Sequence, residues 1–284
     1  MHCTLCPLQC GADRKTAAGR CGVKGLTVAK YYLHPFEEPP ICHTNGSGAV
    51  FFGGCSLRCV FCQNYEVSRA ERGREVSPHE LPRIFEELEA RGADCLDLVT
   101  CDHVSNLVLE ALSIYRPKVP VVYNSSGYCR VEALREIEPF IDVWLPDLKF
   151  ASSELSARYT GRRDYFEVAA EAIRFMAKKP LLRGGNGELR SGILVRHLVL
   201  PACTSDSRKV LDFLHETLPE GAPISIMRQY TPLGDIANFP ELNRKVTARE
   251  YGRVVDYAYA LGFSEIYTQE KESASKVFVP KWEW

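Results

Sequence analysis

From residue 48 onward the sequence alternates short apolar runs with amphipathic stretches, and this alternation restricts the fold more than any other feature. The runs at 49–52, 95–100, 119–123, 141–148, 193–200 and 224–229 read as strands, with 265–268 as a seventh, edge strand. Between them, 78–91, 104–115, 131–137, 165–177, 207–218 and 247–261 carry helical periodicity. Ser77 before Pro78, with Glu80 three residues on, starts the first helix, and Gly92 stops it. Strict β/α alternation predicts an α/β fold with a parallel sheet and helices outside it. A complete eight-unit barrel takes about 250 residues, and residues 48–270 include long loops at 62–77, 149–163 and 230–246. The expectation is therefore a partial (β/α)6 TIM-type barrel at 48–270. A Cys-rich segment and connector at 1–47 precede it, and a tail at 271–284 follows. Function in such folds gathers at the C-terminal ends of the strands.

Directly after the first of these strands runs Gly53-Gly54-Cys55-Ser56-Leu57-Arg58-Cys59-Val60-Phe61-Cys62-Gln63-Asn64. Two glycines allow a sharp turn and close backbone approach to a bulky ligand. The three thiols are one short of the four that close a structural zinc or an ordinary four-iron cluster. An incomplete shell leaves one metal open to a substrate or cofactor. Two other readings stay open on these residues alone. The same positions fall at i, i+4, i+7, where cysteine is a small core hydrophobe, although Ser56, Arg58, Gln63 and Asn64 suit a buried helix poorly. A closed zinc site is the other, with Cys42 or His43 as fourth ligand.

Cys55, Cys59 and Cys62, with an aromatic just before the last cysteine, resemble the cluster motif of the radical S-adenosylmethionine (SAM) superfamily. The resemblance implies a [4Fe-4S] cluster on these three cysteines, with the methionine part of SAM on the fourth iron. It further implies reductive cleavage of SAM to methionine and a 5'-deoxyadenosyl radical that abstracts hydrogen. It spans about residues 48–235, and the branch most similar is that of the pyruvate formate-lyase activating enzymes.

The strand ends supply the other candidates. After the second strand comes Thr100-Cys101-Asp102-His103, where most relatives have Gly-Gly-Glu for the SAM amino group; Asp102 is the candidate acceptor here, or the cap of the next helix. After the third comes Asn124-Ser125-Ser126-Gly127-Tyr128, similar to a family stretch that meets SAM and a monovalent cation, with Asn124 in place of an aspartate. After the fourth come Asp147 and Lys149, resembling the family's SAM-contacting Asp-x-Lys. Two charges ending a buried strand require pairing or a function, and residues two apart share a face. In the fifth strand the resemblance assigns Arg196 to the SAM carboxylate, which its planar fork suits, while His197 alternates to the other face as a packing histidine. After the sixth, Gln229 and Tyr230 are candidates near the adenine.

A second group, Cys3, Cys6, Cys10 and Cys21, lies in a segment with too few apolar residues to build a core. A metal would compensate for that deficit, and four thiolates suit either zinc or a second Fe–S cluster. Residues 26–47 read as a Pro-rich connector draped over the barrel, with Cys42 and His43 as packing residues. Cys129 is expected as a buried thiol.

Twelve cysteines in a chain of 284 residues that is 45% hydrophobic and 25% charged point to metal or redox sites in the cytoplasm rather than to a secreted disulfide framework. Net charge of −1 offers no general attraction to nucleic acid or to a membrane surface, and no run approaches the roughly 20 apolar residues of a membrane span. The family resemblance implies a low-potential electron donor of ferredoxin or flavodoxin type. It also allows a glycyl radical enzyme as partner, although the chain lacks the two-cluster insertion found after the first motif in many activating enzymes. Modification of a small molecule or peptide is the alternative, and a non-catalytic Fe–S or zinc protein is the reading from a different class.

Overall fold

The computed structural model describes residues 2–275, 280 and 282; half of the tail assigned to 271–284 lies outside the described residues. In chain order the elements are β1 Thr27–His34, β2 Ser47–Phe52, the four-residue α1 Tyr65–Ser68, β3 Arg74–Glu75, α2 Leu81–Ala90, β4 Leu96–Val99, α3 Ser105–Ile114, β5 Val121–Ser125, α4 Val131–Ile137 and β6 Val143–Pro146. They continue with α5 Ser153–Thr160, α6 Tyr165–Met176, β7 Leu182–Arg183, β8 Leu189–Ile193, β9 Val195–Leu198, α7 Thr204–Thr217, β10 Ile224–Met227, α8 Ala248–Leu261 and β11 Ile266–Thr268.

Parallel pairing runs β2–β4–β5–β6–β8, then from β9 through β10 to β11. The two sheets meet at β6, where Asp147 bridges Arg196 in parallel register. The inner strands are mainly apolar because both their faces are covered; β2 and β6 are buried at every residue. Helices turn one stripe inward: α2 buries Leu81, Ile84, Phe85 and Leu88, the i, i+3, i+4, i+7 pattern. The result is the expected partial barrel, with β11 as the seventh strand.

Several boundaries differ from expectation. The connector is not merely draped. Its residues 27–34 form β1, which pairs antiparallel with β2 in register Tyr31↔Val50 and carries β3 on its outer edge. Prolines at 35, 39 and 40 dominated the sequence signal and hid the strand before them. The predicted fifth strand is broken at Leu194 into β8 and β9, with β7 folding back on β8, and α5 occupies a stretch read as loop. Helix α2 starts at Leu81 rather than at 78, yet the reciprocal Ser77–Glu80 bonds expected of its start are present, at 2.8 and 3.2 Å. His43 offers its backbone N–H to Asp94 at 2.9 Å, with Thr44, Asn45 and Gly46 beside it.

Candidate functional site

The loop after β2 is fixed from several sides. Gly54 sits at φ +84°, and a Cβ there would lie 2.6 Å from the carbonyl oxygen of Cys21, so only glycine fits. Val60 N–H donates to the Tyr159 carbonyl at 2.9 Å, and Asp235 N–H donates to the Val60 carbonyl at 2.8 Å. Phe61 stands edge-on to Phe150, Tyr159 and Tyr230. These contacts turn Cys55, Cys59 and Cys62 toward one cavity. Burial pushes the Cys55 thiol up to about 11. It also raises Cys59 against the pull of Lys149, and raises Cys62 against a hydrogen bond with Ser68. A bound metal reverses that preference by its own charge.

The cavity measures about 220 Å³, where a single water takes roughly 10–15 Å³ by the same measure. Around it, besides the three cysteines, stand Asn124, Ser125 and Ser126 from the end of β5, Asp147 and Lys149 beyond β6, Arg196 in β9, and Gln229 and Tyr230 beyond β10. Thus the ends of successive strands meet at one place. Arg196 is the hub of its charge. It donates to Asp147 at 2.8 Å, Glu37 at 3.1 Å and the Asn124 side-chain oxygen at 2.6 Å, while Lys149 pairs with the other Asp147 oxygen. Burial opposes ionisation of Asp147, but Arg196 and then Lys149 outweigh it and hold the carboxyl below its ordinary value. Lys149 is raised in turn, Asp147 overcoming its burial. Three of the five Arg196 N–H groups are thereby engaged, so the guanidinium positions protein carboxylates as well as facing the cavity.

Two polar atoms on the cavity wall have no partner among the described residues: Ser126 Oγ and Asn64 Oδ1. A buried orphan of this kind calls for a ligand or water. The three thiols on one wall, these two orphans and the Asp147–Lys149–Arg196 cluster fit a four-iron cluster with a charged, polar cofactor beside it. Among the described residues, no three Cys, His, Asp or Glu side chains are drawn together as around a single metal ion. A four-iron cluster sets its cysteine sulfurs further apart than one ion does.

Asp102 is a correction. It does not line the cavity and makes no helix-capping hydrogen bond. Instead it is buried and accepts the Cys129 thiol proton at 2.8 Å, with burial lifting its carboxyl to about 6. Cys129 is buried as expected. Tyr230 faces the cavity with its ring only, since its hydroxyl donates to Leu242 at 2.7 Å; Gln229 accepts from Gln269 at 3.1 Å. His197 is the packing histidine expected, its ring bonded to Leu148 and Ser207 at 2.7 and 2.9 Å. Glu37, from the connector, went unrecognised in the sequence, as did Asp97 in β4 behind it. Asp97 is fully buried, and burial and then Glu37 hold its carboxyl far above the usual range. An aspartate inside the run Leu96-Asp97-Leu98-Val99 was the available signal.

The sequence model of the Radical SAM superfamily matches residues 49–183, which span β2 to β7 and contain all three cavity cysteines. Residues 49–183 are thus similar to a radical SAM domain. It is 28% identical to the uncharacterized protein MJ0674 of Methanocaldococcus jannaschii over 279 residues, 94% of this chain and 77% of the relative. Among solved structures it is similar to SuiB of Streptococcus suis bound to S-adenosylmethionine, with TM-score 0.54 and 14% identity over 77% of this chain and 49% of that one. Methylornithine synthase is also similar, with TM-score 0.50 and 14% identity over 75% and 68%. At such identity the likeness is one of fold, and the chain spans about half the length of SuiB. The radical SAM family implies a four-iron cluster and SAM. Among the described residues no helix is long and apolar enough to cross a membrane.

Proposed function

We propose that this protein is a radical SAM enzyme whose cluster is held by Cys55, Cys59 and Cys62 and whose SAM lies in the adjoining cavity. The single observation that carries this reading is the meeting of three cysteines with Asn124, Ser126, Asp147, Lys149 and Arg196 around one cavity. When bound, the cluster and SAM together supply a 5'-deoxyadenosyl radical for hydrogen abstraction from a substrate. The protein's own part is to orient and exclude water. Glu37, rather than Asp102, is the carboxylate within reach of the SAM ammonium group, and Lys149, Asn124 and the free face of Arg196 suit its carboxylate and ribose hydroxyls. Ser125, Gln229 and the Tyr230 ring close the remaining wall.

Sharing Gln63, Arg196, Met227 and Gln229 with this cavity is a second hollow, also lined by Phe36, Glu38 and Tyr267. It suits the hydrogen-donating substrate, reached from the mouth of the partial barrel. Activation of a glycyl radical enzyme is one form such chemistry takes, with a loop of the partner entering here. A low-potential donor in the cytoplasm would supply the electron.

Anaerobic reconstitution followed by dithionite and SAM tests the reading. The expected product is 5'-deoxyadenosine, lost in Cys59→Ala. A fully loaded, reduced protein that makes none would leave a non-catalytic Fe–S protein. Glycine-centred radical formation on a candidate partner, followed by electron paramagnetic resonance (EPR), tests the glycyl radical form separately.

A further inference from the structure

The N-terminal cysteines have no part in the reading above, yet their placement is specific. Cys3, Cys6 and Cys21 are buried and Cys10 is half-buried, in a segment with no helix between residues 2 and 26. Three of the sulfurs lie close together: a side chain begun at Gly19 would meet Cys21 Sγ at 3.2 Å and Cys10 Sγ at 3.5 Å. Arg14 reaches both Cys21 Sγ, at 3.3 Å, and Cys3 Sγ, at 3.8 Å, while its Nε is anchored on the Lys24 carbonyl at 2.8 Å. All four cysteines are free thiols, so no disulfide accounts for the convergence. Cys21 and Val23 reach the hydrophobic core, but Cys3, Cys6 and Cys10 are not part of it, and the segment there is held by turns such as Cys3 N–H to Ala12 and Gly11 N–H to Cys3, at 3.1 and 3.0 Å.

The quartet also abuts the first cluster loop. Cys55 N–H donates to the Cys21 carbonyl at 3.2 Å, so one backbone hydrogen bond joins a cysteine of each group. On the outer side Lys15, Arg20 and Lys24 are exposed.

We propose that Cys3, Cys6, Cys10 and Cys21 hold a second four-iron cluster, closed by protein, through which the electron enters on its way to the first. Four thiolates complete such a cluster, and a guanidinium donating to two of its sulfurs tunes its potential, a lever with no use at redox-inert zinc. A low-potential protein donor with an acidic face, drawn to the basic rim, gives one electron and is oxidised by one. The second cluster is reduced by that electron and reoxidised as it passes to the Cys55–Cys59–Cys62 cluster, so no proton or atom moves.

The test uses full-length protein with Cys55, Cys59 and Cys62 all changed to alanine, purified without oxygen. About four iron and four sulfide per chain, with an EPR signal after dithionite, are expected; stoichiometric zinc or no metal would overturn the assignment. In case that variant fails to fold, wild-type protein offers an independent reading. With about eight iron bound, its two reduced clusters should broaden each other's EPR signals, and a single uncoupled signal sinks the proposal. Arg14→Gln should shift one midpoint potential downward and leave the other; no shift would remove Arg14 from the site. Charge reversal at Lys15, Arg20 and Lys24 should slow reduction by an acidic flavodoxin about tenfold without changing the endpoint reached with dithionite; an unchanged rate would refute this route of entry. None of these readouts depends on SAM cleavage.

Discussion

Arg196 and Asp147 are joined twice, by a parallel backbone bridge between their strands and by a 2.8 Å bond from Nε to Oδ1. The seam where the two sheets meet is therefore also the charged floor of the cavity. Leu148 N–H, bonded to the Arg196 carbonyl at 2.9 Å, extends that seam past the end of β6. The site cannot move without opening the barrel there.

Asp147→Asn keeps the shape but removes the charge shared by Arg196 and Lys149. Breaking a buried pair by removing one partner costs about 3–5 kcal/mol, so urea unfolding should show a loss of that order. SAM affinity by calorimetry should fall as well, because Lys149 loses the carboxylate that orients it. An Asn variant as stable as the wild type would mean that the network contributes nothing to the fold.

Glu37→Gln tests which carboxylate meets the SAM ammonium group. Loss of a charged hydrogen bond is worth roughly 1.5–3 kcal/mol, so SAM should bind about tenfold or more weakly. Asp102→Asn, which alters a group bonded to Cys129 and away from the cavity, should leave SAM affinity unchanged. The reverse pattern would restore Asp102 as the ligand.

The parallel sheet was legible because buried parallel strands are mainly apolar runs, and the cluster loop was legible because its cysteine spacing has few other uses. Glu37 was not. Its importance comes from β1 pairing antiparallel with β2, a long-range contact that carries the following residues across the strand ends to Arg196, and no local pattern encodes it. Arg196 itself could be found as a charge in an apolar strand, but its three partners come from β5, the segment just beyond β6 and the connector. Asp102 misled for the converse reason. A polar residue after a strand is expected at a site, whereas the Cys129 thiol that takes it up is supplied by the loop after the neighbouring strand.

Glu38 predicts an unusual pH dependence. Burial, outweighing Arg196, lifts its carboxyl from 4.5 to about 7. A raised carboxyl contributes fully below its unfolded value and loses that contribution as pH rises through the folded one. Stability should thus fall between 4.5 and about 7, by up to about 3 kcal/mol from this group. His103 and His197, lowered by burial from 6.5 to about 4, act oppositely and lose stability as pH falls through that range. In Glu38→Gln the alkaline loss should shrink while the acid loss persists. Denaturant unfolding across the range checks this, and parallel pH profiles for variant and wild type would contradict it.

Ser126→Ala separates a ligand-binding role from a structural one. Its hydroxyl is buried at the cavity wall with no partner among the described residues, and an unsatisfied buried hydroxyl costs about 1–3 kcal/mol. Removing it should therefore leave the ligand-free protein as stable or slightly more so, in contrast to the loss expected at Asp147. If the hydroxyl waits for SAM, the same change should weaken SAM binding by about fivefold to tenfold, so that SAM raises the melting temperature less than it does in the wild type. A destabilised ligand-free variant with unaltered SAM affinity would assign Ser126 to the fold instead. Because the two outcomes move stability and affinity in opposite senses, one pair of melting curves, with and without SAM, distinguishes them.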